Sequence, residues 1–207
     1  MTQDTYLLVT TARDEGPTIL EWVAHHRLCG FDHIHVYQND SSDTTTQTLR
    51  ILDRIGAVTL IANPHDGGAH IRRAYRRTGS NPDFAASTWC LTLDVSEFLS
   101  VSHGEGRVHD LVASCPDDAD AIVINQRLFG SNGHKNINAD LVTERFTACE
   151  LADDIQTRRA APYKALFRTS AFGRPGRQMP VAPVSDQMAI CNASGLPEGS
   201  FERSRTE

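Results

Sequence analysis

Short apolar runs at residues 6–11, 33–37, 57–61 and 89–93 alternate with stretches of helical period, and each interval between runs holds one such stretch. This alternation constrains the chain more than any other feature. Strand, helix, strand repeated three times predicts a parallel sheet, because a right-handed crossover must carry the chain back over one face. The first helix begins at Pro17, which costs nothing in a first turn. Its expected inward face is Ile19, Leu20, Val23, Ala24 and Leu28, and Gly30 stops it. The second turns Leu49, Leu52 and Ile55 inward and ends at Gly56. A third covers 69–77 and is broken by Asn81-Pro82-Asp83. The expected fold class is α/β: a Rossmann-type, mostly parallel sheet with helices on both faces.

In such sheets ligands bind beyond the carboxyl ends of the strands. Polar clusters stand at three of those ends: Arg13 to Glu15, Asn39 to Asp43, and Asp94 to Glu97. Their convergence on one edge points to a site. The sharpest of them is Leu91-Thr92-Leu93-Asp94-Val95-Ser96-Glu97-Phe98-Leu99, an apolar strand running into two carboxylates. Desolvation disfavours a charged carboxylate at a buried strand tip, so a bound cation is one explanation of the pair. Two solvated acids in a surface loop are the other.

The 207 residues suffice for one substantial domain, and 40% hydrophobic with 22% charged residues is ordinary for a globular chain. A net charge of -6 argues against a chain-wide nucleic-acid footprint. Five dispersed cysteines form no C-x-x-C pair and suit reduced thiols. The first residues lack a basic leader, and no run approaches the ~20 apolar residues of a membrane span. The expected location is cytoplasmic, extending to a peripheral place at the inner membrane face.

A further strand is expected at 121–125, a Gly130/Gly133 loop at 126–134, and helices at 141–146 and 149–155. Beyond Pro162, glycines and prolines from Gly173 to Gly199 predict an irregular segment.

Acids and amides at strand ends suit recognition of a nucleoside-diphosphate sugar, with a Mn²⁺ or Mg²⁺ ion neutralising the diphosphate. Here the sequence resembles the family-2-type glycosyltransferases of GT-A fold, in the bacterial branch similar to the family-92 enzymes. Glu15 with Leu20-Glu21-Trp22-Val23-Ala24-His25-His26-Arg27 resembles that branch's first signature. Gly30-Phe31-Asp32-His33-Ile34 leads to Tyr37 and Asn39-Asp40-Ser41-Ser42-Asp43, and Ala74-Tyr75 precedes Trp89. Asp94-Val95-Ser96-Glu97-Phe98 resembles its "D-x-D-E-F" box. Phe129-Gly130-Ser131-Asn132-Gly133-His134 and Thr143-Glu144-Arg145-Phe146 resemble two later signatures.

The resemblance implies a GT-A-like nucleotide-sugar-binding domain over 1–160 and an irregular, shortened acceptor region over 161–207. Thr11, Arg13, Glu15, Asn39, Asp40, Asp43 and Arg73 would contact the nucleotide sugar. Asp94 and Glu97 would be catalytic, Asp94 would hold the metal, and His134 would stand on the acceptor side. For Asp40 a helix N-cap is the alternative. His25, His26, Trp22 and Trp89 are expected in structural roles. Arg72, Arg73, Arg76 and Arg77 form a basic helix face from which one could reach a phosphate.

The box departs from the pattern at Ser96, where a hydroxyl replaces the second carboxylate and weakens any metal site. Pro162-Tyr163-Lys164-Ala165-Leu166-Phe167-Arg168 resembles the start of a later region whose His-Pro motif is missing. The implied activity is sugar transfer to a glycan or lipid-linked acceptor in surface glycan synthesis. A non-catalytic relative that binds nucleotide or a partner protein is the alternative. A nucleotidyltransferase is the third reading, weakened by the lack of a phosphate-cradling glycine loop and of an acid at position 96.

Overall fold

The computed structural model describes residues 4–65, 68–136, 140–150 and 162–201. Strands β1 (Tyr6–Ala12), β2 (His33–Gln38), β3 (Thr59–Ala62) and β4 (Trp89–Thr92) alternate with helices α1 (Ile19–Leu28), α2 (Thr45–Arg54), α3 (His70–Gly79) and the short α4 (Pro82–Ala86). Helix α5 (Val108–Ala113), β5 (Ala121–Asn125), α6 (Val142–Arg145), β6 (Tyr163–Arg168), β7 (Phe172–Arg174), β8 (Val181–Pro183) and β9 (Ile190–Asn192) follow. Among the described residues the main sheet has seven strands in the order β3-β2-β1-β4-β6-β5-β9. β1 to β4 are mutually parallel, while β6 runs antiparallel to both β4 and β5. The expected mostly parallel α/β sheet is therefore observed.

Successive side chains of a strand point to opposite faces. Along β1, Tyr6, Leu8 and Ala12 enter one core with Trp22 of α1 and Leu49 of α2. Leu7 and Val9 enter a second core with Ala74 and Tyr75 of α3 and Phe84 of α4. Both faces are thus covered, which is why β1 and β4 read as continuous apolar runs rather than alternating ones.

Several expectations need correction. Leu20 and Leu28 are exposed, and the buried stripe of α1 is Ile19, Trp22, Val23 and His26. That is the i, i+3, i+4, i+7 row from Ile19, from which Leu20 departs by about 100°. Ile55 is 70% exposed because α2 ends at Arg54 and the chain leaves the helical path. Cys149, expected in a helix, instead bridges to Phe129 in an isolated antiparallel contact. The remainder of that predicted helix, from 151, lies outside the described residues. Largest of all, the stretch from 161 on is not irregular throughout. Its β6 fills the sheet between β4 and β5, with Tyr163 to Phe167 buried, and β9 closes the sheet beyond β5. The lysine at the second position of β6 conceals a core strand, because lysine is almost never fully buried without a partner.

Candidate functional site

The parallel register of β1 to β4 sends their carboxyl ends to one edge. At that edge β1 and β2 are tied by two aspartates. Asp14, left-handed at φ 56°, accepts hydrogen bonds from the Ser42 amide at 2.6 Å, the Ser42 hydroxyl at 3.1 Å and the Asp43 amide at 3.4 Å. The Asp43 carboxylate accepts from the Gly16 amide and from the amide and hydroxyl of Thr45 at the start of α2. These donors hold Asp14 and Asp43 below the usual carboxylate range; for Asp43 they outweigh the opposing effect of burial. Arg13 is half-exposed and 3.7 Å from the Asp14 carboxylate. Thr11 pairs with Tyr37 at the end of the β1–β2 ladder.

Glu15 lies between these loops and the end of β4. Burial raises its pKa, and the like charges of Asp43, Asp94 and Asp14 add to the effect, with only the Thr18 hydroxyl opposing. The mutual influence places acids of three loops in one electrostatic neighbourhood, as the sequence pattern predicts.

Beyond β2 a buried amide network replaces the acids. Asn39 is 2% exposed, and its side-chain carbonyl accepts from the side-chain amide of Asn63 at 2.7 Å. The Asn63 carbonyl accepts from Arg73 Nε at 2.9 Å, and its amide also donates to the His70 carbonyl. Arg73 reaches on to the Pro64 carbonyl. Asp40, at φ 50°, accepts from the His65 amide at 2.7 Å and does not cap α2, whose N-cap is Thr44. Asn39 and Arg73 are therefore brought together through Asn63, a residue the sequence does not single out.

At the end of β4 the box folds on itself. The Asp94 amide donates to Glu97 Oε2 at 2.7 Å, and the Glu97 amide returns to the Asp94 carbonyl. Lys164 of β6 places its ammonium 3.0 Å from Glu97 Oε2 and 3.7 Å from Asp94 Oδ2. Gln126 Nε2 donates to Glu97 Oε1 at 3.0 Å. Lys164 and Glu97 side chains are only 10% and 11% exposed, whereas Asp94 is 48% exposed. Burial raises the Glu97 pKa although the lysine beside it opposes the rise. Of the two carboxylates, Asp94 keeps an open face and Glu97 is enclosed by donors.

Helix α1 buttresses this box. Trp22 Nε1 donates to the Glu97 carbonyl at 2.8 Å. His25 Nε2 contacts the Leu99 carbonyl at 2.8 Å. His26, fully buried, accepts from the Leu99 amide at Nε2 and contacts the Trp22 carbonyl through Nδ1. That pairing requires a neutral ring protonated at Nδ1, and burial pushes the His26 pKa down to about 3. The expected structural roles of His25, His26 and Trp22 hold. Glu21, on the outer side of α1, accepts from the amides of Val142 and Thr143 and from the Thr143 hydroxyl, binding α6 to the same helix. His134 is exposed, with its ring 6.4 Å from that of Phe146.

The segment after β7 also reaches this edge. The Thr92 hydroxyl donates to the Gly176 carbonyl at 3.2 Å, two residues before Asp94. Arg177, exposed, acts electrostatically on the buried Tyr75, which also feels Asp94 and Glu97. Sequence reasoning missed Lys164 and Arg177 because both come from the stretch expected to be irregular.

A Mn²⁺ or Mg²⁺ ion calls for several hard oxygen ligands. Asp94 offers one open carboxylate, Glu97 is occupied by internal donors, position 96 is an exposed serine, and an ammonium stands beside both acids. Among the described residues no group of three or more His, Cys, Asp or Glu side chains could hold a metal. The residues present do not fit a divalent-metal site of their own.

No curated protein matches the chain. Solved structures resemble it distantly. S. aureus TarS 1–349 in complex with UDP-GlcNAc matches 81% of this chain and 46% of its own at 13% identity and a TM-score of 0.48. A putative glucose-1-phosphate thymidylyltransferase from Bacillus anthracis in complex with a sucrose matches 82% and 73% at 12% identity and a TM-score of 0.43. The chain spans about half the length of TarS 1–349. Among the described residues no helix is long and apolar enough to cross a membrane. The model of glycosyltransferase family 92 matches residues 14–171, from the loop after β1 through β6 and including Glu15, Asn39, Asp94, Glu97 and Lys164. The chain belongs to glycosyltransferase family 92.

Proposed function

We propose that the chain transfers a sugar from a nucleoside-diphosphate sugar to an acceptor hydroxyl, in the assembly of a surface glycan. The observation that carries this reading is the half-exposed Asp94 carboxylate at the end of β4, the open acid in a family-92 site whose neighbouring acid is enclosed. In the reaction the acceptor oxygen attacks the anomeric carbon, the bond to the diphosphate oxygen breaks, and the leaving diphosphate takes the electron pair. A carboxylate receives the acceptor proton if configuration inverts. Asp94 faces the donor. Glu97 holds the Asp94 amide and Lys164 in place and positions the catalytic edge. Thr11, Arg13, Glu15 and the Asn39–Asn63–Arg73 network form the nucleotide side. Asp40 and Asp43 shape the loop above it, and His134 with Phe146 lines the acceptor approach.

Asp94→Ala is expected to abolish release of nucleoside diphosphate from a panel of nucleotide sugars. Thermal unfolding should be unchanged, since among the described residues the half-exposed side chain makes one ion-pair contact, at 3.7 Å. Full activity in that variant would sink the assignment. Ser96 favours one second reading: a relative that binds the nucleotide without turnover. It predicts nucleotide binding by calorimetry with no transfer to any acceptor.

A further inference from the structure

The positive charge at the end of β4 is already built into the chain. Lys164 enters from the antiparallel strand β6 and lies between the two acids of the box, tight on Glu97 and looser on Asp94. It is held by more than one element: Glu97 is fixed by the Asp94 amide and by Gln126, and the Glu97 carbonyl by Trp22. A second cation, Arg177, stands near the same edge, on a segment anchored to Thr92 by the Gly176 carbonyl. The second carboxylate that would favour a dication is a serine. A dication bound at Asp94 would lie within a few ångströms of an ammonium, where like charges repel strongly. An anion there would meet the Lys164 ammonium beside the two carboxylates of the box, with the Arg177 charge on the adjoining segment as a second attraction. Lysine and arginine are both established phosphate binders, lysine as a point charge and arginine through a planar fork.

We propose that Lys164 and Arg177 together receive the diphosphate of the donor in place of a divalent metal ion, so that nucleotide binding is metal-independent. The inference rests on the donor-site reading given above. It adds that the stabilising charge comes from the C-terminal segment: the phosphate draws the ammonium from its looser partner, Asp94, while Glu97 keeps it in place.

The test is calorimetric titration of the full chain with UDP, GDP, ADP and dTDP and with the corresponding free nucleosides, in excess EDTA and in MnCl₂. At least one diphosphate should bind in EDTA within about threefold of its affinity in Mn²⁺. Arg177→Met, which leaves the Lys164–Glu97 pair intact, should weaken that diphosphate at least tenfold and leave the nucleoside unchanged. Lys164→Met removes the partner of a buried acid and can unfold the chain, so it is paired with Glu97→Gln. The double variant should also lose the diphosphate selectively, and Lys164→Arg should retain it. A merely structural role would lower nucleoside and diphosphate affinity alike and would overturn the inference. Binding that requires Mn²⁺ and ignores both cations would overturn it while leaving the donor-site reading standing. No nucleotide bound under either condition would overturn both.

Discussion

Asp14 and Glu97 stand at neighbouring strand ends of one sheet edge, yet their surroundings displace them in opposite directions. Asp14 lies in the open, where amide and hydroxyl donors of the β2 loop favour its charge and lower its pKa. Glu97 is enclosed, and burial raises its pKa despite the lysine 3.0 Å away. The pair shows that an acidic motif does not report its own electrostatics. A carboxylate among exposed backbone donors is a tie between loops. A carboxylate buried with a lysine organises a site at a cost in desolvation.

The sharpest way to break the comparison is to remove one partner from the enclosed side. Lys164→Met leaves the buried Glu97 carboxylate without its cation and should destabilise the fold by about 3–5 kcal/mol in urea unfolding at neutral pH. Glu97→Gln with Lys164→Met should recover much of that loss, and a double variant no better than the single would show that the two do not form one unit.

The next largest effect is on the buttress. His26 is neutral when folded, at a pKa of about 3, and titrates near 6.5 when unfolded. The unfolded chain therefore takes up the proton first, and stability falls as pH drops below 6.5. The loss should reach roughly 3 kcal/mol by pH 4 and be absent above pH 7. His26→Gln should flatten that slope, measured as the unfolding midpoint against pH. An unchanged slope would place the acid sensitivity elsewhere.

Asn63→Ala removes the amide that joins Asn39 to Arg73. It should cost about 1–3 kcal/mol, because the Asn39 carbonyl loses its buried donor. A smaller loss in thermal unfolding would mean that water replaces the amide.

The smallest effect belongs to the open side. Asp14→Ala should leave the thermal midpoint nearly unchanged and speed hydrogen exchange at the Ser42 amide. The two acids also predict opposite pH trends. The Asp14 contribution is present above the ordinary aspartate value and fades as pH falls through its lowered folded value. The Glu97 contribution is present at low pH and fades as pH rises from the ordinary glutamate value through its raised one. Comparing Asp14→Asn with Glu97→Gln across pH 3 to 7 would separate them by sign.

Much of this was legible in the sequence. The apolar runs ending in polar clusters located β1 to β4, and the order of the clusters put Glu15, Asn39 and Asp94 at one edge. His25 and His26 read as structural. What escaped had a common cause. Lys164 hides β6 because a charged residue breaks the apolar run of a core strand, and its meaning depends on Glu97, 67 positions earlier. Asn63 is a loop asparagine until Asn39 and Arg73 close around it. Leu20, Leu28 and Ile55 are apolar by composition and exposed by geometry.

By itself the sequence determined the class of fold, the edge at which the chemistry lies and the family signatures, because strand period, helix period and turn residues act over a few positions. Only the tertiary structure decided which acids are open and which enclosed, and that an antiparallel strand delivers a lysine between them. Those outcomes depend on burial and on partners far apart in the chain, and neither quantity is carried by any single stretch of residues.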